Sequence, residues 1–337
     1  MKRYLYQLLG WLGILSLTYC QMNDEQPCEV SQKIQNISLR VSIKEVEKEL
    51  FKQKDVAGIL AILRKYPDLS QALQKFGNLR NDSTVAEQFL KLIQAKGINE
   101  LYQDVSSKFG SVEKLEREFE LAFKHIKYYY PDFVPPKIYT LITGFGYDLI
   151  ANDKIILIGK EFFLGDKGKF PLPPQIPLYQ MRRYKPEYIV ANSLQYLSEK
   201  YNRIDEKDRT VLAEMIYFGK AYYFTKTMMP CLPDSILFGY TQTELANIQD
   251  EDNRKYIWAH FVERKLLFST SHFHIQSYLN ERPYVAEINK KCPGRIGRWL
   301  GLRILEKYAQ KKRATLQEIM REANAREIFT QSAYKGD

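Results

Sequence analysis

The chain has 337 residues, 45% of them hydrophobic and 27% charged, with a formal net charge of +10. That balance excludes a disordered polymer and a multi-span membrane protein, and it describes a packed body of one large or two small domains. The cations are spread along the chain, which points to a basic surface facing anionic lipid or an acidic partner, or to a plain solvated face, and away from nucleic acid.

Met1-Lys2-Arg3 opens the chain, and Tyr4 to Tyr19 carries no charge. A charged start followed by a short apolar run is the layout of a secretory signal, and the run falls short of the roughly 20 residues a bilayer span needs. Leu17-Thr18-Tyr19-Cys20 looks like a bacterial lipobox, with Tyr19 where a small residue is usual. The expected organisation is a lipoprotein signal peptide over 1–19, a palmitate-bearing Cys20, a flexible tether over 20–36, and a single α+β domain over 37–337. An uncleaved N-terminal anchor and ordinary signal-peptidase cleavage are the alternatives, and each takes the protein out of the cytoplasm. Nothing after residue 20 is long and apolar enough for a second span. An exported compartment permits disulfides, and Cys231 and Cys292, each beside a proline, form the expected pair.

Ile37 to Ile43 alternates apolar and polar residues with period two and predicts a half-buried strand. Helices are predicted over 56–66, 85–95 and 112–129 from apolar residues recurring on one face. The β-branched run 137–143 and the apolar run 154–158 predict two adjacent buried strands. Four prolines between Phe170 and Pro177 make a rigid loop. Helices follow over 187–200, 208–227, 294–311 and 315–329, with a further helical region over 241–268, and the last opens on Thr315 and Glu318 at capping-box spacing. The fold class is α+β: a mostly helical body with a small central β-sheet.

The search for chemistry is mostly negative. The sequence holds no phosphate-cradling glycine loop, no Gly-x-Ser-x-Gly turn, no Cys-x-x-Cys and no His-Glu-x-x-His. His272 and His274 would share a face on a strand and reach a metal with His260, but they point apart on a helix. Asp250-Glu251-Asp252 suits a helix start, where the macrodipole favours anions. Clusters such as Tyr128-Tyr129-Tyr130 favour core packing and protein contacts, and on one helix they cannot all face inward.

The second half carries a resemblance. Thr143-Gly144-Phe145, Phe163-Leu164-Gly165, Pro186-Glu187-Tyr188-Ile189, Gly219-Lys220-Ala221 and Trp258 with Phe261-Val262-Glu263 occur in order. The block from Cys292-Pro293-Gly294-Arg295 to Trp299-Leu300-Gly301 and the ending Gln331-Ser332-Ala333-Tyr334-Lys335 complete it. Together they resemble the gliding-motility lipoprotein GldB of the Bacteroidota, from about residue 37 to the C-terminus. The resemblance implies a non-enzymatic, cofactor-free envelope protein, tethered by its N-terminal lipid, at the outer membrane and facing the periplasm. Its implied partners are other proteins of the gliding and type IX secretion machinery, and not nucleic acid. More remotely, the order of segments is similar to that of zinc peptidases (zincins). Asn192-Ser193-Leu194-Gln195-Tyr196 then falls where His-Glu-x-x-His would stand, and Phe218 where the third ligand would be. Asn192, Tyr196 and Phe218 cannot form a zinc shell and Ser193 cannot replace the general base, so the metal is expected to be absent. A metallohydrolase or its degenerate relative, and a cell-wall or anionic-lipid binding module, are the alternatives. Gly294, Gly297 and Gly301 share a helical face that admits close backbone approach, and Arg295 with Arg298 are candidates for an anion or partner contact.

Overall fold

A computed structural model of the chain describes residues 30–337. Cys20, Cys28, the expected signal and most of the expected tether lie outside the described residues. The chain enters through a short helix α1 (Gln32–Gln35), whose Ile34 is buried. Strand β1 (Ile43–Glu45) and helices α2 (Glu47–Leu50), α3 (Val56–Lys65), α4 (Pro67–Gly77), α5 (Asp82–Ile93), α6 (Ile98–Phe109) and α7 (Glu113–Tyr129) follow. Strands β2 (Lys137–Leu141), β3 (Leu149–Ala151) and β4 (Ile155–Gly159) come next, and then a 3-10 segment over Lys160–Lys167. The remainder is helical: α8 (Leu178–Met181), α9 (Ile189–Ser198), α10 (Val211–Met228), α11 (Asp234–Phe238), α12 (Gln242–Gln249) and α13 (Glu251–Glu263). The last four are α14 (His272–Leu279), α15 (Ile296–Lys312), α16 (Leu316–Arg321) and α17 (Ala325–Ser332). The mostly helical α+β class with a small sheet therefore holds.

The sheet runs β1-β2-β4-β3, with β1, β2 and β4 parallel and β3 antiparallel to β4. The two expected buried strands are β2 and β4, and they lie side by side. Alternate residues explain their apolar runs. Ile138, Ile156 and Ile158 pack toward α7, α9 and α10, whereas Tyr139, Leu141, Ile155 and Leu157 pack toward α3, α4 and α5. A strand covered on both faces reads as continuous hydrophobicity.

The structure departs from the sequence reading at two places for local reasons. Only the last residue of the period-two run 37–43 enters the sheet. Leu39 and Val41 pack on the cluster containing Phe119 of α7, and the Ile43 amide donates to the Glu116 carboxylate at 2.8 Å. The alternation reported half-burial correctly, but a helix does the burying. The helix expected over 315–329 is broken between α16 and α17, because Glu322 is extended and the Asn324 side chain caps α17 by accepting from the Glu327 amide at 3.0 Å. The Thr315–Glu318 capping box forms as expected.

Helix α10 is buried on nearly every side, joining the sheet-side core through Phe224 and Met228 to the C-terminal core through Leu212, Met215 and Ile216. Such all-round burial is the mark of a central helix. It crosses α15 where two glycines meet: a Cβ on Gly219 would lie 2.5 Å from the Gly301 carbonyl carbon, and one on Gly301 would lie 1.8 Å from the Met215 oxygen. The other two glycines of the expected face serve different neighbours. Gly294 precedes the helix and abuts the Arg282 backbone, and Gly297 abuts Leu279.

His125 on α7 is 4% exposed, and burial lowers its pKa. Unfolding therefore takes up a proton between the lowered native value and the unfolded value of about 6.5, so this contribution to stability grows as pH rises through that window. The expected result is that His125→Leu flattens part of the acid-side slope in urea unfolding followed from pH 7 to 5; an unchanged slope would count against it.

Candidate functional site

Helix α9 has two unlike faces. Ile189, Val190 and Leu194 are fully buried in the core, whereas Asn192, Gln195, Tyr196 and Glu199 line a cavity. Their spacing of three, four and seven residues places the last four on one side of the helix. Across the space, α10 contributes Tyr217, Phe218 and Ala221, and the start of α15 contributes Arg295 and Arg298. Asp148, Arg183, Tyr184, Phe238 and Glu281 close the walls, around a volume of about 380 Å³. The structure thus brings Asn192, Tyr196, Phe218, Arg295 and Arg298 to one place. Ser193 is not among them: it is fully buried, and its hydroxyl donates back to the Ile189 carbonyl at 2.8 Å.

Local backbone chemistry sets the wall. Glu161, 3% exposed, accepts from the Thr143 amide at 2.7 Å, the Thr143 hydroxyl at 2.6 Å and the Phe145 amide at 3.1 Å. That pin shapes the turn leading to Asp148, whose carboxylate accepts from the Tyr184 hydroxyl at 2.8 Å. Gly239 has φ +65° after α11, and a Cβ there would meet the Arg183 side chain at 2.3 Å. Arg295 itself has φ +62° just before α15.

The arginines differ in their engagements. Arg183 makes a two-pronged contact with Glu281, 2.9 Å on each side. Arg295, 7% exposed, donates to the Phe238 carbonyl at 2.6 Å, approaches the Tyr222 hydroxyl at 3.5 Å and pairs with Glu281 at 3.4 Å. Burial works against the charge on Glu281, but Arg295 and Arg183 outweigh it and hold the carboxyl below its ordinary range. Among the described residues Arg298 donates only through Nε, to the Leu279 carbonyl at 2.6 Å, and its guanidinium lies 3.7 Å over the Phe218 ring. Burial first, and the neighbouring Arg295 second, lower its pKa. Burial also raises the pKa of Tyr188, Tyr196 and Tyr217, so their hydroxyls remain protonated donors at neutral pH.

Glu281→Gln is expected to leave Arg183 and Arg295 without their shared counter-charge. Because the carboxylate is 34% exposed, the loss is modest, about 1–2 kcal/mol in urea unfolding. No change in the midpoint would show the pair to be ornamental.

The other sequence candidates fall elsewhere. His272 and His274 sit in the first turn of α14, where His272 meets Gln276 at 2.8 Å and His274 meets Ser269 at 2.7 Å. His260 pairs with the Tyr278 hydroxyl at 2.8 Å. Among the described residues, no group of three or more His, Cys, Asp or Glu side chains is placed to hold a metal ion. The expected Cys231–Cys292 bridge is corrected by the structure. Cys292 is a free thiol with 0% exposure, its pKa raised to about 12 by burial, while Cys231 is exposed in the turn after α10. The bridge between Tyr284 and Pro293 and the Val285 amide's 2.8 Å bond to the Cys292 carbonyl fold that loop around the thiol.

Sequence reading missed Gln195, Glu199, Asp148, Arg183 and Glu281. Gln195 and Glu199 had a signal, a polar stripe beside Asn192 on an otherwise apolar helix; Glu281 and Arg183 lie in loops where nothing local marks them.

Fold and site together define a helix-rich α+β protein with an arginine- and tyrosine-lined cavity, and no helix of the described residues is long and apolar enough to cross a membrane. The family described as gliding motility protein GldB matches residues 27–336, nearly the whole chain, and the chain belongs to that family. No curated protein and no solved structure matches it. The likeness to zinc peptidases thus rests on the order of sequence segments.

Proposed function

We propose that this member of the gliding-motility family is a lipid-anchored protein of the cell envelope, at the outer membrane, which acts by binding partners of the gliding and secretion machinery and catalyses nothing in its cavity. One observation carries the non-catalytic part. Where the zinc-peptidase order would put a metal, the cavity offers an amide at Asn192, a phenol at Tyr196 and a phenyl ring at Phe218, with the Arg298 guanidinium stacked 3.7 Å above that ring. None is a strong ligand for a divalent ion, and a fixed cation beside the position repels one. The lipoprotein leader read in the sequence supports the anchored part.

Crosslinking in gliding cells, followed by identification of the captured proteins, tests the reading. Envelope components of the motility machinery are expected, and Cys20→Ser is expected to lose both palmitate labelling and the capture. Stoichiometric zinc in the purified protein, or peptide hydrolysis abolished by chelator, would instead favour the metallohydrolase.

A further inference from the structure

We infer that the cavity between α9, α10 and the start of α15 receives the free C-terminal carboxylate of a peptide, with Arg298 as its anchor. This names the chemistry of what is bound and rests on the binding reading above.

The first support is an imbalance of charge. Among the described residues Arg298 enters no ion pair, and only its Nε finds a protein acceptor. Stacking on Phe218 fixes the plane of the guanidinium, and its two terminal nitrogens keep their donors for a guest. Glu281 and Glu214 act on it only at a distance, without contact, and a half-buried cation without a contacting counter-ion is costly, a cost that an arriving anion lowers. A guanidinium fork and a carboxylate match in two parallel hydrogen bonds. Arg298 also lies in the first turn of α15, a 17-residue helix whose N-terminal dipole end favours an anion.

The charge count selects the kind of anion. Arg183 and Arg295 are already held by Glu281, and Asp148 and Glu199 stand on the same wall. Among the described residues of the cavity, one cation without a contacting carboxylate, amid the remaining carboxylates, suits a monoanion and opposes a phosphate dianion. The second support is the face of α9. Neither the Asn192 nor the Gln195 side chain makes a hydrogen bond within the described residues, although both line the cavity. Buried or half-buried polar groups are ordinarily satisfied. Each amide offers a carbonyl and an NH₂, the complement of a peptide unit. The volume of about 380 Å³ is near the small end of ligand pockets, roughly 300–1,000 Å³, which fits a chain end better than a strand running through.

The test titrates the full-length protein, in detergent micelles, with a mixed-sequence pool of N-acetylated tetrapeptides. The pool is supplied as free acids and as C-terminal amides, with inorganic phosphate as a third arm, and binding is read by calorimetry and saturation-transfer NMR. The free acids are expected to bind at least about ten-fold more tightly than the amides, and Arg298→Met to remove most of that difference. Arg298→Lys should recover part of it, since a point charge replaces the fork. Should Arg298→Met fold poorly, Asn192→Ala with Gln195→Ala alters only the half-buried face and is expected to weaken the free acids several-fold. Equal binding of acids and amides, binding of neither, or tighter binding of phosphate overturns the inference. If the acid pool fails to bind the unsubstituted protein while cells still crosslink the envelope partners, this inference falls and the binding reading stands.

Discussion

Gly301→Ala is expected to be the most damaging single methyl group that can be added to this chain. Its Cβ would lie 1.8 Å from the Met215 carbonyl oxygen, and the obstacle is backbone in the second turn of α10, which cannot rotate aside as a side chain would. Overpacking costs about 1–3 kcal/mol where neighbours can yield, and here the upper end or more applies. The roughly 1 kcal/mol of helix propensity gained on replacing glycine does not offset it. Urea unfolding should show a net loss of about 2 kcal/mol or more. Gly219→Ala strikes the same crossing, 2.5 Å from the Gly301 carbonyl carbon, so the double variant should fall short of the sum. Since Arg298 is one turn before Gly301, separating the helices also displaces the cavity wall. A Gly301→Ala protein within about 0.5 kcal/mol of the parent would mean that the crossing is looser than the geometry states.

Lys220 is the second expected large effect. It is 1% exposed in the middle of α10, and its ammonium donates to the carbonyls of Arg203 at 2.8 Å and Glu322 at 2.5 Å, with Met320 at 3.5 Å. It ties the loop after α9 and the break after α16 to the central helix. Lys220→Met should leave the Arg203 and Glu322 oxygens without this donor and cost about 2–4 kcal/mol at pH 7. The pH dependence has a definite sign. Burial lowers the native pKa from 10.5 to about 8. Below pH 8 the native and unfolded chains both hold the proton, and the contribution is constant. Between about 8 and 10.5 only the unfolded chain holds it, so unfolding takes up a proton and stability rises with pH, by about 3 kcal/mol across the window. The methionine variant should lack that rise, which paired urea melts at pH 8 and pH 10 would reveal. A slope shared by both proteins would assign it to other groups.

Much of the scaffold was legible in one dimension because its signals are local. Period and punctuation located β2, β4, α7, α10 and α15, the Thr315 capping box was visible as side-chain types at a fixed offset, and the acidic triplet at Asp250 marked the start of α13. The errors arose where an identical local pattern had another partner. The alternation at 37–43 is buried by a helix, and the apparent helix over 315–329 yields to the Asn324 cap and to Lys220 drawing the intervening carbonyls. Proline neighbours made Cys231 and Cys292 look alike, yet one is exposed in a turn and the other is enclosed in the core.

For the cavity the division is sharper. Sequence alone determined most of the helices, the glycine that α15 presents to α10, family membership by its ordered motifs, and five of the residues that line the cavity. It also carries the expectation of a lipoprotein leader, whose residues lie outside those described. Only the tertiary structure decided that Arg295 is in contact with Phe238 and Glu281 whereas Arg298, three residues on, touches neither. Helical spacing makes those two arginines near equivalents. Their difference comes from Glu281, Phe238 and Arg183, which reach the site from separate parts of the chain, and whether a charge has a partner depends on distance in space.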